Sequence, residues 1–77
     1  MTKQQQWIIK YIVHDIIGYI MEDSGSTLAE AMNRFYTSEV FEKLQDIETG
    51  LYSEGSGYVY DLYKIERQYG KLIQLEV

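Results

Sequence analysis

The chain contains neither cysteine nor proline among its 77 residues. Without cysteine, no disulfide and no zinc site built on thiolates can hold the fold together. Without proline, the strongest interruption of helices is missing. A domain of this size has a marginal core, so its stability must come from apolar packing, including packing against a second subunit.

Basic residues are scarce. Seven Lys and Arg stand against twelve Asp and Glu, which gives a formal net charge of −5. Affinity for nucleic acid needs clustered cations, so the composition argues against a nucleic-acid partner. An acidic surface keeps a protein soluble and can also meet a basic protein.

Long hydrophobic runs are absent too, since no uninterrupted apolar run exceeds three residues. We therefore expect no association with a membrane. The opening MTKQQQWIIK has no signal-peptide n-region and no small-residue cleavage site. These absences predict a cytoplasmic protein.

The clearest element is QQQWIIKYIVHDIIGYIMED, residues 4–23. At 100° per residue its apolar side chains fall on one broad arc, which predicts a long first helix despite the many β-branched residues. The arc comprises Ile8, Ile9, Ile12, Val13, Ile16, Tyr19 and Ile20.

A second face of the same helix carries residues that a simple surface helix would not need. Trp7 and Met21 lie near its polar side, beside Lys10 and His14, and Gly18 is placed inside the helix at a cost of about 0.5–1 kcal/mol relative to alanine. A glycine there suggests that another backbone approaches closely. We predict that these five residues form a contact face, covered by the chain's own C-terminus or by another subunit.

Two shorter helices follow. Thr27 and Glu30 have the spacing of a capping box, and Gly25 before them suits a left-handed turn. The second helix is predicted over LAEAMNRFY, with an inner face of Leu28, Ala31, Met32 and Phe35. The third begins at Thr37 or Ser38 and ends near Asp46, with an apolar face of Val40, Phe41 and Leu44.

Tyrosines are concentrated in the last third of the chain. Ser53 or Ser56 is predicted to cap a fourth helix, GYVYDLYKIERQY, which Gly70 ends. Its apolar positions at helical spacing predict a packing layer made of Tyr58, Val59, Leu62, Ile65 and Tyr69. Tyrosine suits such a layer because its ring can be buried while its hydroxyl stays near water. Aromatic residues are also enriched at interaction hot spots, so Tyr52, Tyr58 and Tyr60 form a second candidate contact site.

The last segment, KLIQLEV, alternates apolar and polar residues at Ile73, Leu75 and Val77, a weak strand pattern. It could pair with a second copy, pack on Trp7, or continue as helix. The whole chain, residues 1–77, is therefore predicted to be one all-α domain. We expect a compact bundle of about four helices, with helix one central and a short irregular or strand-like tail.

Sequence motifs for catalysis or metal binding are not found, and no cofactor is predicted. His14 is the only histidine, and its neighbour Asp15 points about 100° away on a helix, so the two do not form an acid–base pair. The acidic residues between 39 and 48 match no calcium-binding loop. A small enzyme that uses His14 remains one alternative.

A nucleic-acid-binding or transcription-regulatory protein is the other alternative, because helices two and three invite comparison with a helix-turn-helix. The would-be recognition helix, SEVFEKLQD, carries three acids and one lysine, and such a helix repels phosphate.

The segments FYTSEVFEKLQD and GLYSEGSGYVY, together with the apolar first helix, resemble short all-helical bacterial proteins of families of unknown function. The resemblance covers residues 7 to about 66. It implies an all-helical fold and a small accessory component, sometimes associated with toxin-like genes. It supplies no functional residues. Together with the surface patterns it predicts a small non-enzymatic protein-interaction module or accessory subunit, such as an antitoxin-like partner protein, that forms a homo-oligomer or binds another protein.

Overall fold

The computed structural model describes residues 2–70, and these residues form helices and turns only. The elements are α1 (Lys3–Ser24), α2 (Leu28–Tyr36), α3 (Glu39–Gln45), two short 3-10 turns (Ile47–Thr49 and Leu51–Ser53), and α4 (Ser56–Tyr69). The predicted all-α fold of four helices is confirmed. The strand-like tail predicted for residues 71–77 lies outside the described residues.

Local sequence signals set several helix ends as predicted. Thr27 and Glu30 form a capping box at the start of α2. Gly25 ends α1 in the left-handed conformation, at φ 69°. The Ser38 hydroxyl accepts a hydrogen bond from the Phe41 N–H and so caps α3. A further capping box, which the sequence analysis did not use, joins Thr2 to Gln5 at the start of α1.

Helix α1 is central to the core. Its five buried isoleucines, Ile9, Ile12, Ile16, Ile17 and Ile20, belong to one core cluster with buried side chains from α2, α3 and α4. The side chains of Phe35, Val40, Leu44 and Val59 are fully buried there. Burying a large aliphatic or aromatic side chain contributes about 1.5–3 kcal/mol, so this cluster is the main source of stability.

Two predicted inner faces were partly wrong. Leu28 is 55% exposed, although it was assigned to the inner face of α2. On α4, Tyr58 and Tyr69 are exposed and Tyr63 is buried in their place. The buried face of α4 is rotated by about one residue step from the predicted one. Tyrosines occur all round this helix, so their pattern did not orient it.

The start of α4 also differs from the prediction. Gly55 occupies the N-cap position, and no side chain caps this end. Ser56 is the first helical residue, and its hydroxyl donates instead to the Asp15 carboxylate at 2.6 Å. The end of the helix agrees with the prediction, because Gly70 adopts the left-handed conformation at φ 80°.

Polar contacts fasten α4 to one side of the bundle. The Glu66 carboxylate accepts hydrogen bonds from the backbone N–H groups of Glu39 and Val40, at 2.9 and 3.1 Å, and so caps α3 from another helix. The Tyr60 hydroxyl donates to the Asp23 carboxylate at 2.5 Å. With α4 held on this side, the other side of α1 and α2 is left open.

Candidate protein-binding surface

A groove opens between α1, α2 and α3. Its volume is about 620 Å³. We call it the apolar groove. Its lining is Ile9, Lys10, Val13, His14, Ile17, Leu28, Met32, Tyr36, Phe41 and Gln45.

The two long walls of the apolar groove come from helical repeats. Ile9, Val13 and Ile17 are four residues apart on α1. Leu28 and Tyr36 bound the matching wall of α2, with Met32 between them. Each wall spans eight residue steps, or about 12 Å at 1.5 Å per residue. That length fits about two turns of a further helix.

The charge of the apolar groove differs from that of the whole protein. Lys10 is the only formally charged lining residue, in a chain of net charge −5. No acidic residue occurs before Asp15, whereas Lys3 and Lys10 both precede it. The groove is therefore apolar at its floor and carries one cation, Lys10, on its α1 rim.

Beyond this rim, the outward surface of α1 is exposed and aromatic. Trp7 is 70% exposed and Tyr11 is 73% exposed. The Lys10 ammonium lies 5.6 Å from the centre of the Trp7 ring, within the range of a cation–π contact. Gly18 lies on the same surface, and a Cβ added there would meet no atom within 4 Å. We call Trp7, Tyr11, His14 and Gly18 the α1 ridge.

The contact face predicted from the sequence falls on these two surfaces. Trp7, Lys10, His14 and Gly18 are exposed on α1, and Met21 beside them is half-buried. The structure therefore brings the five residues to one side of α1. The backbone that was expected to approach Gly18 is not among the described residues.

The second candidate site, formed by tyrosines, is different. The Tyr52 hydroxyl accepts a hydrogen bond from the Gln5 side-chain amide at 3.0 Å. Tyr60 packs on Tyr19 and Tyr63, with ring centres 5.1 and 6.1 Å apart. Two of the three predicted residues are thus engaged inside the fold, and Tyr58 alone is largely exposed.

The environment of Tyr60 also alters its acidity. Burial, followed by the hydrogen bond to Asp23, raises its pKa well above the ordinary value. Burial likewise raises the pKa of Tyr63, against an opposing effect of Arg67 and Arg34. Both phenols are therefore held neutral, which suits packing rather than proton transfer near pH 7.

Part of the apolar groove was not predicted from the sequence. Leu28, Met32 and Tyr36 repeat every four residues, and Phe41 and Gln45 continue the lining on α3. The repeat on α2 could have shown a second apolar stripe. It could not show that only Ala31 and Phe35 of that helix would be fully covered.

Residues 2–70 include no group of three His, Asp or Glu side chains that could hold a metal ion. Across the same part of the chain, no helix combines the length and apolar character needed to cross a membrane.

Comparison with protein-family models, with curated proteins and with solved structures finds no match to this chain.

Proposed function

We propose that this protein is a small non-enzymatic interaction module, an accessory subunit that binds an amphipathic helix of another protein in the apolar groove. The observation that carries the proposal is the groove itself, an open apolar channel lined by three helices. Helix-in-groove binding is a recurrent mode of recognition, in which residues at i, i+3 or i+4, and i+7 of the ligand anchor it.

The apolar floor of the groove favours a ligand helix whose inner face is apolar. Val13, Met32 and Phe41 are half-buried, so they keep apolar surface that a ligand could cover. Tyr36 adds an aromatic wall that is 43% exposed. A helix with an apolar stripe two turns long matches the length of the apolar groove. Burial of the apolar surface between them would contribute about 25 cal/mol per Å² to binding.

The basic rim determines the ligand's flank. Lys10 and His14 border the groove on the α1 side, and Lys3 lies seven residues, about two helical turns, before Lys10. An acidic flank on the ligand would complement them, speed association and fix the orientation of binding. The proposed partner therefore presents an amphipathic helix with Asp or Glu beside its apolar stripe.

Two matched tyrosine variants test the proposal. Tyr36, in the groove, and Tyr58, on α4, are both helical and similarly exposed, at 43% and 46%. The wild type, Tyr36→Glu and Tyr58→Glu are used to capture partners from native cells, after circular dichroism shows that all three fold. We expect Tyr36→Glu to lose a partner that Tyr58→Glu retains.

The captured partner then allows a direct measurement. A peptide from it that carries the acidic amphipathic helix should bind in isothermal titration calorimetry, and Lys10→Glu should weaken this binding by about tenfold or more. The proposal is wrong if Tyr36→Glu captures the same partners as the wild type, or if Lys10→Glu leaves the affinity unchanged.

A further inference from the structure

We propose that the α1 ridge binds a second copy of this chain, with the two α1 helices antiparallel about a twofold axis. The ridge lies beside the apolar groove and needs no ligand in it. This inference therefore goes beyond the proposed function and does not depend on it.

The spacing of residues on the ridge is that of a helix–helix seam. Along α1 the outward positions alternate between steps of three and four residues. They are the four residues of the α1 ridge, with Gln4 before them and Met21 after them. A two-stranded coiled coil places its contact residues at this spacing. Met21 is half-buried at one end, and the others in the series are exposed.

Size complementarity fixes the orientation. In an antiparallel pair centred between Tyr11 and His14, Trp7 faces the partner's Gly18 and Tyr11 faces the partner's His14. The open space over Gly18 can then receive an indole that is 70% exposed in the single chain. In a parallel pair, Trp7 would instead meet the partner's Trp7, and the two glycines would leave a gap.

Charge along α1 supports the same orientation. The first turn carries no acid and the last turn no base. Lys3 lies at the positive end of the helix dipole and Glu22 near the negative end, which is the unfavourable arrangement within one helix. Antiparallel pairing sets the basic half of each α1 at the height of the acidic half of the other, with Lys10 on the groove flank and Asp15 and Asp23 on the α4 flank, and it opposes the two dipoles. The opposed dipoles favour the antiparallel pair over the parallel one.

The geometry of the pair leaves the apolar groove usable. A twofold axis perpendicular to antiparallel helices keeps each flank of one helix beside the same flank of the other. The two grooves therefore lie on one side of the seam, and both α4 helices lie on the other. Such a dimer presents two grooves on one face.

Trp7 is the only tryptophan, so it reports the seam directly. We expect its emission to shift to the blue as concentration rises, in step with a change from monomer to dimer mass in sedimentation equilibrium. Gly18→Leu places a side chain in the space proposed for the partner's indole, where a Cβ meets no atom of another element of residues 2–70 within 4 Å. It should weaken dimerisation by at least tenfold while circular dichroism shows the same helix content.

Orientation is tested by disulfides, because the chain has no cysteine of its own. Gln4 faces the partner's Met21 in the antiparallel pair. Mixing Gln4→Cys with Met21→Cys under mild oxidation should give a mixed covalent dimer, and Gln4→Cys alone should give little. Ready cross-linking of Gln4→Cys alone would establish the parallel pair and overturn the proposal.

Two further results separate this inference from the proposed function. Tyr36→Glu should leave dimer mass unchanged, since Tyr36 lies in the groove and not on the ridge. A wild type that stays monomeric up to millimolar concentration, with constant Trp7 emission, would overturn the dimer and leave the groove proposal standing.

Discussion

The two sides of α1 are built differently. Towards α4, the helix is closed by fully buried side chains and by hydrogen bonds from Ser56 and Tyr60 to the carboxylates of Asp15 and Asp23. On the other side, Trp7 and Tyr11 are largely exposed beside an open groove. Apolar surface is thus present on both sides, and residues 2–70 cover it fully on only one. This difference locates the surface available for partners.

We call the side of α1 that faces α4 the closed side, and the side with the apolar groove the open side. Substitutions in the core of the closed side should cause the largest loss of stability. Phe35 is fully buried, and its ring lies 5.4 Å from that of Phe41 and 5.9 Å from that of Tyr63. Phe35→Ala should reduce the free energy of unfolding by about 3–5 kcal/mol, because it removes apolar contacts and leaves a cavity. Urea denaturation followed by circular dichroism measures this loss.

Tyr58→Ala is the control for that measurement, since Tyr58 is 46% exposed. It should change stability by less than about 0.5 kcal/mol. A loss below about 1 kcal/mol for Phe35→Ala would contradict the assignment of this side as the core.

A smaller loss is expected where α4 caps α3. The Glu66 carboxylate satisfies two N–H groups at the start of a helix of only seven residues. Glu66→Ala should cost about 1–2 kcal/mol, because those donors lose a charged acceptor near the positive end of the helix. Thermal unfolding should show the loss, with Gln68→Ala as an exposed control on the same helix. Equal stability of the two variants would mean that water replaces the carboxylate without cost.

Several helix ends were predictable because their signals are local. A threonine three residues before a glutamate, or a glycine after an apolar run, acts within one turn. The Thr27–Glu30 box and the turns at Gly25 and Gly70 were therefore found from the sequence. The cap supplied by Glu66 was not, because it joins residues 26 and 27 positions apart and has no local pattern.

The candidate surface was only half predictable, for a different reason. The face with Trp7 and Gly18 was visible because both residues are unusual on the polar side of an otherwise regular helix. The apolar groove was not visible, since a periodic pattern shows that Leu28 and Phe35 are apolar and does not show which of them a neighbour covers. Leu28 stays 55% exposed and Phe35 is fully buried. Coverage depends on the path of α3 and α4, which local sequence does not encode.

Alkaline pH should reduce the stability that Tyr60 and Tyr63 contribute on the closed side. Burial raises the pKa of Tyr60 and of Tyr63 in the folded protein, whereas tyrosine in an unfolded chain has a pKa of about 10. The unfolded chain therefore releases these protons first. The stability contributed by the neutral phenols is complete below pH 10 and is lost as pH rises above it.

Denaturation at pH 8 and pH 10.5 measures this dependence. Tyr60→Phe should reduce the loss between the two pH values, because phenylalanine cannot ionise. Tyr58→Phe, on the exposed surface of the same helix, serves as the control. If Tyr60→Phe and Tyr58→Phe lose stability equally with pH, Tyr60 does not have the raised pKa that its burial indicates.

The smallest effect belongs to the open side and has the opposite sign. Gly18 is helical, exposed and free of neighbours around a Cβ. Gly18→Ala should therefore stabilise the isolated chain by about 0.5–1 kcal/mol, by limiting the freedom of the unfolded backbone. Gly25→Ala is the contrasting substitution, since Gly25 has φ 69° and a side chain there is strained. It should destabilise the protein, because alanine disfavours the left-handed conformation.

Thermal unfolding at low micromolar concentration measures both glycine variants in the monomer. Repeating the Gly18→Ala measurement at high concentration then adds the contribution of the α1 ridge. If the stability gained by Gly18→Ala becomes smaller as concentration rises, the glycine is needed for contact with a second copy. Its presence then lowers the stability of the monomer and favours the dimer. If Gly18→Ala increases stability equally at every concentration, no second copy approaches Gly18 closely. The two sides of α1 would then differ only in how much of their apolar surface residues 2–70 cover.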